Sequence, residues 1–382
     1  MKTLKDFNFK NKKVLVRCDF NVPLNEKGEI VDDFRIKESL PTINYLIKKQ
    51  AKIILMSHLG ENETLERVRE CLEKYLNQPV KLIREKVEKI KKEELEKGDR
   101  KEIILLENLR INKGEKENNP DFSKKLALLG DIYINDAFSV CHRKHASIVG
   151  VPEILPAGAG FLLEKEVKIL SKVLKNPWRP LVVIIGGVKI ESKLKTIENL
   201  FKNCDHLLIG GKIAESILIV KGICIGRPWP SSEIVEKIEK LDLTSTKLHL
   251  PIDSLVSLDE LGEFYVRQAG PAKIRKDELL LDIGPETIQI FSKIIKEAKM
   301  IIWAGPLGHF EVPKFERGTK EIGEQIVKNH KAFKIAGGGD TLSALSKFNL
   351  RDKFDHVSTG GGAMLEFLSG ETLPGLKALE WK

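Results

Sequence analysis

Short aliphatic runs rich in Val and Ile recur along this chain, and each gives way to a glycine turn or a polar loop. Lys13–Arg17, Lys52–Met56, Ile103–Leu106 and the run Ile132-Tyr133-Ile134 follow this pattern in the first half. Apolar runs of this length, with no polar alternation, predict strands buried on both faces, and therefore a parallel sheet covered by helices. The covering helices are expected where apolar residues fall at helical spacing, in residues 42–49 and 64–76. The second half repeats the scheme with Leu181–Ile185, the run Leu207-Leu208-Ile209, residues 279–282 and residues 300–303.

Between the halves, residues 152–160 are rich in Pro, Ala and Gly. Phe161, Leu162, Val167, Leu170, Val173 and Leu174 then fall at helical spacing until Asn176-Pro177 stops them. At 382 residues the chain is too long for one ordinary core, so two domains are expected. The predicted organisation is α/β, with lobes at 1–160 and 177–366 joined by one long interdomain helix at 161–176.

The polar residues cluster just past the strands. Asp19 and Asn21 follow the first run, Ser57-His58-Leu59-Gly60 the second, Glu107-Asn108-Leu109-Arg110 the third, and Asn135-Asp136 with Cys141-His142-Arg143 the fourth. In doubly wound sheets ligands bind outside the carboxyl ends of the strands. Arg17, Arg35, His58, Arg110 and Arg143 could therefore converge on a small, multiply negative ligand, since guanidinium groups match phosphate and carboxylate. Taken singly, each is more often a surface ion-pairing residue than a ligand; the recurrence after each strand lifts the set.

The second half places glycines where the first places arginines. Six strand-to-glycine turns occur, among them Gly186-Gly187, Gly210-Gly211 and Gly337-Gly338-Gly339-Asp340-Thr341. Glycines let backbone N–H groups approach an anion, and a helix opening at Asp340 would add its positive end. Asp340 would then be placed to hold a divalent cation beside phosphates; it could equally be an ordinary N-cap. Lys189 and Lys193, four residues apart after Gly186-Gly187, share one face if a helix starts there. They suit a triphosphate, or form a solvated lysine face.

Composition removes several function classes. No apolar run approaches the roughly 20 residues of a membrane span, and the N-terminal MKTLKDFNFKNKK has no apolar core, so a cytoplasmic protein is expected. Five scattered cysteines without a C-x-x-C pair argue against zinc or redox work. The net charge of +9 fits either nucleic acid or phosphorylated small molecules. Basic and aromatic residues do not interleave, which disfavours RNA. The signatures G-x-x-x-x-G-K-[ST], H-R-D and D-F-G are absent, so neither a P-loop nor a protein-kinase site is predicted.

From Lys13 to about Leu379 the chain resembles the phosphoglycerate kinase family, in motifs that stand in the family's order: VLVRCDFNVPL, SHLG, LLENLR, NDAFSVCHRKHAS, GGVKIESK, DIGPET, WAGPLGHFE, KIAGGGDT and STGGGAMLEFLSGETLPG. The resemblance implies two doubly wound, Rossmann-like lobes. It implies reversible phosphoryl transfer between 1,3-bisphosphoglycerate and ADP, giving 3-phosphoglycerate and ATP, with Mg2+ as cofactor. Asp19, Asn21, Arg35, His58, Arg110 and Arg143 would hold 3-phosphoglycerate, with Arg17 on the same rim. Lys189, Lys193, Glu311, Gly337, Gly338, Gly339, Asp340 and Thr341 would serve the nucleotide, Glu311 toward the ribose and Asp340 toward the metal. Arg35, Lys189 and Lys193 would be catalytic. A monomer without nucleic-acid or membrane partners is implied, as is a tail, residues 367–382, that returns to the N-terminal lobe.

Two positions depart from the family pattern. Glu61 and Asn62 stand where arginine and proline usually follow SHLG, and Ala304 stands for asparagine in WAGPLG. Arg67 or Arg69, a few residues on, could replace the missing arginine. Positioning and charge neutralisation are expected to carry the chemistry, in line and after domain closure, without a general base, because a carboxylate is already the nucleophile.

Overall fold

The computed structural model describes residues 1–90, 95, 102–224 and 229–381. The chain divides into two compact units, Met1–Ile169 with Thr372–Lys382, and Leu170–Glu371.

The first unit is built on six parallel strands, β1 (Lys13–Arg17), β2 (Lys52–Met56), β3 (Val80–Ile83), β4 (Ile103–Leu106), β5 (Ile132–Asn135) and β6 (Ala157–Ala159), in the order β3-β4-β2-β1-β5-β6. Val14, Val16, Ile53 and Leu55 pack with Ile36, Ile43, Leu46 and Leu72 in one core. Burying each such side chain favours folding by about 1.5–3 kcal/mol. The chain leaves β1 toward β2 on one side and returns to β5 on the other. The carboxyl ends of β1 and β5 therefore flank the point where the strand order reverses, the crevice favoured for ligands.

The helices differ from expectation at their starts. The first runs Phe34–Lys48, through Pro41; the periodicity was interrupted there because proline is poorly tolerated in a helix interior. The second is Glu66–Leu76 rather than 64–76. Glu107 accepts from the Leu65 N–H at 2.8 Å and from the Thr64 hydroxyl at 2.7 Å, which holds those two residues outside the helix. Asn77, in left-handed conformation at φ 50°, ends it.

The Pro/Ala/Gly stretch is not a plain connector, because β6 lies inside it and pairs with β5. Its small residues suit that edge: a Cβ on Gly158 would lie 2.6 Å from the Phe7 ring. The helix Phe161–Lys175 follows, started by side chains from elsewhere in the unit. Thr42 Oγ1 accepts from the Phe161 N–H and Asp136 Oδ1 from the Leu162 N–H, both at 2.9 Å. The unit boundary falls within this helix, after Ile169. Thr372–Lys382 packs in the first unit, with Leu373, Leu376 and Leu379 buried and the Gly375 N–H donating to the Cys141 carbonyl at 2.8 Å. Residues 367–371 group instead with the second unit.

The second unit has two sheets. One is parallel: β7 (Leu181–Ile185), β8 (His206–Ile209), β9 (Leu248–His249), β13 (Met300–Ala304), β14 (Phe333–Ala336) and β15 (His356–Val357), in the order β15-β14-β13-β7-β8-β9. Its strand order reverses between β7 and β13. The other is antiparallel, with β10 (Ser254–Ser257) between β11 (Arg267–Ala269) and β12 (Leu279–Ile283). The run at 279–282 is thus a strand, but of this smaller sheet. An apolar run fixes burial and leaves its pairing partner open.

Candidate active site

At the reversal point of the first unit, side chains bond mainly to one another. Arg17 ends β1 almost fully buried. Its Nε donates to Ser147 Oγ at 2.9 Å, one terminal nitrogen donates to the Cys18 carbonyl, and the other lies 3.3 Å from His58 Nδ1. Asp19, also buried, pairs with Arg35 at 3.1 Å, receives the Ser139 hydroxyl, and accepts from the Asn21 N–H at 3.1 Å. Arg35 in turn donates to the Asn21 carbonyl at 2.8 Å, and Asn21 Oδ1 accepts from the Gly60 N–H at 2.9 Å. The loops after β1 and β2 are thereby locked together by Asp19, Asn21, Arg35 and His58.

Burial sets the charges in this network. It pushes the Asp19 carboxyl up, but Arg35, His58, Ser139 and the Asn21 amide outweigh it and hold the group below its usual range. Burial pushes the His58 imidazole down to about 3, with Asp19 opposing and Arg17, Arg110 and Arg143 adding to the shift. His58 is therefore neutral near pH 7. With Nδ1 accepting from Arg17, its proton sits on Nε2 as a donor.

Arg110 closes the rim, donating to the Gly60 carbonyl at 2.7 Å. Its Nε is buried with no hydrogen-bond partner, an unspent donor of the kind an anion satisfies. Arg143 is exposed, 3.4 Å from His142. The loop after β2 adds an unexpected carboxylate. Glu61 turns toward the rim, 3.2 Å from Arg110, and also pairs with Lys116. Arg67 and Arg69 do not reach the rim; they pair with Glu70 and with Glu66 and Glu73 along their own helix. Lys116 was missed in the sequence because Lys113-Gly114-Glu115-Lys116 has the mixed charge of an ordinary solvated turn.

At the reversal point of the second unit, backbone replaces side chains. The loop after β7 meets the loop after β13, and the Gly187 N–H donates to the Pro306 carbonyl at 2.7 Å. Gly305, at φ 101°, permits this approach, since a Cβ there would lie 2.2 Å from the Gly186 carbonyl oxygen and 2.6 Å from Lys193 Nζ. Lys193 Nζ donates to the Gly186 carbonyl. Burial pushes its ammonium down to about 8, against the pull of Asp340.

The expected shared helical face of Lys189 and Lys193 is not formed. The helix begins only at Leu194, with Lys193 as its N-cap. Residues 186–193 form turns, tied to the β13 loop through Gly186 and Gly187, which leaves Lys189 exposed and Lys193 half-buried. The other glycine turn opens a helix as its sequence indicates: β14 ends at Ala336 and a helix spans Gly339–Lys347, with Gly338 at φ 106° as N-cap. A Cβ on Gly337 would meet Met364 Sδ at 2.5 Å, whereas one on Gly339 would meet nothing within 4 Å. Asp340 is exposed on the first turn. Thr341 is buried, its hydroxyl accepting from the Gly305 N–H at 2.7 Å, so it ties this helix to the β13 loop.

A cavity of about 330 Å³ opens here, lined among others by Gly187, Lys212, Leu281, Pro306, Glu311 and Asp340. A larger one, about 620 Å³, is lined by Lys10, Gln50, Lys52 and Gln78 at the amino-terminal end of the first sheet, away from the strand ends where the polar residues gather. Among the described residues no cluster of three or more His, Cys, Asp or Glu could hold a metal unaided. A lone Asp340 beside the glycine turns still suits Mg2+, which takes one or two carboxylates and completes its shell with substrate phosphates and water.

A family model described as phosphoglycerate kinase matches residues 4–371. The phosphoglycerate kinase of Dictyoglomus turgidum is 43% identical over 99% of this chain and 98% of its own length. That of Aquifex aeolicus is 43% identical over 100% and 98%. Among solved structures, phosphoglycerate kinase from Coxiella burnetii superposes with a TM-score of 0.86 at 38% identity, covering 99% of this chain and 98% of that one. Phosphoglycerate kinase from Pyrococcus horikoshii OT3 gives 0.87 at 32%, covering 100% and 98%. With fold, motifs and full-length matches in agreement, this chain belongs to the phosphoglycerate kinase family and is a glycolytic phosphotransferase that uses a carboxyl group as acceptor.

Proposed function

We propose that the basic rim of the first unit binds 3-phosphoglycerate or 1,3-bisphosphoglycerate, and the glycine-lined cavity of the second binds ATP or ADP with Mg2+. Asp19 and Asn21 position Arg35 and the Gly60 loop. His58, Arg110 and Arg143 supply donors and charge to the carboxylate and phosphate of the substrate. Beside the cavity, Gly338 and Gly339 present backbone N–H groups to phosphates, whereas the Gly337 N–H is taken by the Trp303 carbonyl at 3.1 Å and that residue serves the turn's close packing; Glu311 serves the ribose, and Asp340 holds the metal. Thr341 acts through the loop it ties down. Bound Mg2+ would supply charge neutralisation at the phosphates.

Lys193 carries the reading of the mechanism. Its ammonium is enclosed between two glycine turns and rests on one carbonyl, so charge is held where a phosphoryl group can meet it without a reorganising solvent shell. Because burial lowers its pKa to about 8, it remains mostly protonated at pH 7. Arriving phosphate charge would raise that value and fix the proton. Arg35 plays the matching part on the acceptor side, and Lys189, exposed on its turn, assists. Transfer proceeds in line once closure brings the ligands together, and closure excludes the water that would hydrolyse the acyl phosphate.

Each ligand is assigned to residues of a single chain, which fits a monomer. Among the described residues no helix is long and apolar enough to cross a membrane, and we place the reaction in the cytoplasm, with no nucleic-acid partner. The test is a coupled assay supplying ATP and 3-phosphoglycerate and following ADP, run on wild type and Asp340→Ala. Asp340→Ala should lose productive metal-nucleotide binding while keeping 3-phosphoglycerate affinity. Equal loss of both affinities in a folded variant would sink the assignment of the two ligands to separate units.

A further inference from the structure

Resting on the assignment of the first-unit rim to 3-phosphoglycerate, we propose that Glu115 and Ser147 are positioning residues of that rim. They hold Arg17, and through Arg17 the tautomer in which His58 offers its Nε2 proton to the substrate. Glu115 is drawn inward by the packing of its own turn. The turn Lys113–Lys116 lies against the helix Pro120–Ala127, so closely that a Cβ on Gly114 would lie 2.6 Å from the Phe122 Cβ. Glu115 is left fully buried, which is costly for a carboxylate unless it is met by donors. Ser147 meets it twice, its N–H donating to Oε2 at 3.0 Å and its hydroxyl to Oε1 at 2.6 Å. His145 Nδ1 lies 3.8 Å from Oε1, and among the described residues no lysine or arginine pairs with Glu115 directly.

The Ser147 hydroxyl can point only one way. Arg17 Nε always carries a hydrogen and donates it to Ser147 Oγ at 2.9 Å, so the one hydroxyl hydrogen is left for Glu115. The carboxylate is thus linked to the guanidinium through a single oxygen, by two charge-assisted hydrogen bonds. Tyr133 anchors Ser147 further, donating to its carbonyl at 2.6 Å. Arg17 is itself almost fully buried and bonds to no carboxylate among the described residues. A carboxylate serving only to start the helical turn Ala146–Gly150 would need the Ser147 N–H alone. The hydroxyl contact has the further effect of aiming Arg17.

What Arg17 is aimed at is a histidine with two choices. His58 Nδ1 lies 3.3 Å from an Arg17 terminal nitrogen and 3.8 Å from Asp19 Oδ1. Facing Arg17 it must accept, which puts the proton on Nε2; facing Asp19 it would keep the proton itself and leave Nε2 a lone pair. Only the first tautomer donates to a phosphate or carboxylate. Glu115 and Ser147 therefore decide whether His58 attracts the substrate or repels it.

Nuclear magnetic resonance of the whole protein, labelled with heavy nitrogen at histidine, reads the tautomer directly, and loss of signals in His58→Gln identifies those of His58. At pH 7 wild type is expected to show Nε2 protonated and Nδ1 bare. Ser147→Ala should shift His58 toward the Nδ1-protonated form and raise the KM for 3-phosphoglycerate about fivefold to tenfold, the worth of one charge-assisted hydrogen bond, with kcat and the KM for ATP within about twofold. Glu115→Ala should do the same, and Glu115→Gln, whose amide oxygen still accepts the hydroxyl, should restore both readouts. In a His58→Gln background Ser147→Ala should raise the KM no further. A wild-type His58 protonated at Nδ1, a folded Ser147→Ala that keeps the wild-type tautomer, or a further rise of KM in the His58→Gln background overturns the proposal. Should Ser147→Ala not fold, Glu115→Ala takes its place in each comparison. A tautomer that moves while the KM for 3-phosphoglycerate does not upholds the link from Glu115 to His58 and sinks the assignment of the rim to that ligand.

Discussion

The two reversal points are built on opposite principles. In the first unit the groups gathered at the strand ends are buried side chains bonded to one another, Arg17 to Ser147 and His58, Asp19 to Arg35 and Ser139. In the second they are backbone, with Gly186, Gly187 and Gly305 in mutual contact and Lys193 as the enclosed charge. The difference matches the ligand proposed for each. A rim that selects a small anion gains from fixed charges whose geometry survives the empty state. A cavity that cradles a phosphate chain needs many weak donors at close range, which only backbone without Cβ can supply. The rim should therefore fail electrostatically, through charge and pH, and the cavity sterically, through any added atom.

The largest effect should come from the half-buried ammonium held between the glycine turns beside the cavity. Lys193→Ala is expected to lower kcat by roughly 10³-fold or more, in line with catalytic cations of phosphoryl transfer, with both KM values nearly unchanged. Steady-state kinetics in both directions check it, and a variant within tenfold of wild type removes Lys193 from the mechanism.

The steric half of the comparison is tested at Gly305. Its φ of 101° and the 2.2 Å approach of a Cβ to the Gly186 carbonyl leave no room for alanine. Gly305→Ala should cost about 2 kcal/mol or more in stability and impair nucleotide binding, while 3-phosphoglycerate affinity survives. Chemical denaturation and titration of each ligand measure the split. Gly339→Ala, where a Cβ meets nothing, is the control and should fold normally.

How much of this was legible in the sequence follows the same division. Aliphatic runs announced the parallel strands, because burial on both faces leaves an uninterrupted apolar string, and the polar residues after them marked the rim. Glycines after strands marked the cavity. What the sequence did not show is what depends on partners distant in the chain. The turns at 186–193, in place of one helical face for Lys189 and Lys193, are set by the loop after β13. The antiparallel pairing of β12 is set by β10, and the strand character of Ala157–Ala159 by an open edge beside β5. The hydroxyl of Thr341 also accepts from the Gly305 N–H, a tie to a loop distant in the chain that its motif does not announce.

The electrostatic half predicts a pH effect centred on His58. Its pKa falls from an ordinary value near 6.5 to about 3 on burial. The folded protein therefore binds fewer protons than the unfolded chain below pH 6.5. The associated stability is complete above 6.5 and is lost as pH falls toward 3, by up to about 1.4 kcal/mol per pH unit. His58→Gln should flatten the acid limb of a stability-pH curve over that window. An unchanged slope would show that His58 is not buried neutral.

The smallest effect concerns Glu61, and it decides how the rim manages without an arginine after SHLG. Glu61 lies against Arg110 and Lys116, and its carboxyl is held low, chiefly by the Lys116 hydrogen bond. It stands as an internal anion on a site meant for an external one, so an incoming phosphate must displace it from Arg110. The pair is solvent-exposed on the Glu61 side, where solvent screening keeps it weak. Glu61→Gln should accordingly lower the KM for 3-phosphoglycerate about two- to fivefold and leave that for ATP unchanged. Lys116→Ala should raise the same KM by a similar factor if the released ammonium joins Arg110 on the phosphate. Arg67→Ala and Arg69→Ala should do nothing, since both are committed to their helix. A raised KM in either of those two, with Glu61→Gln silent, would return the phosphate contact to the helix and leave Glu61 a bystander.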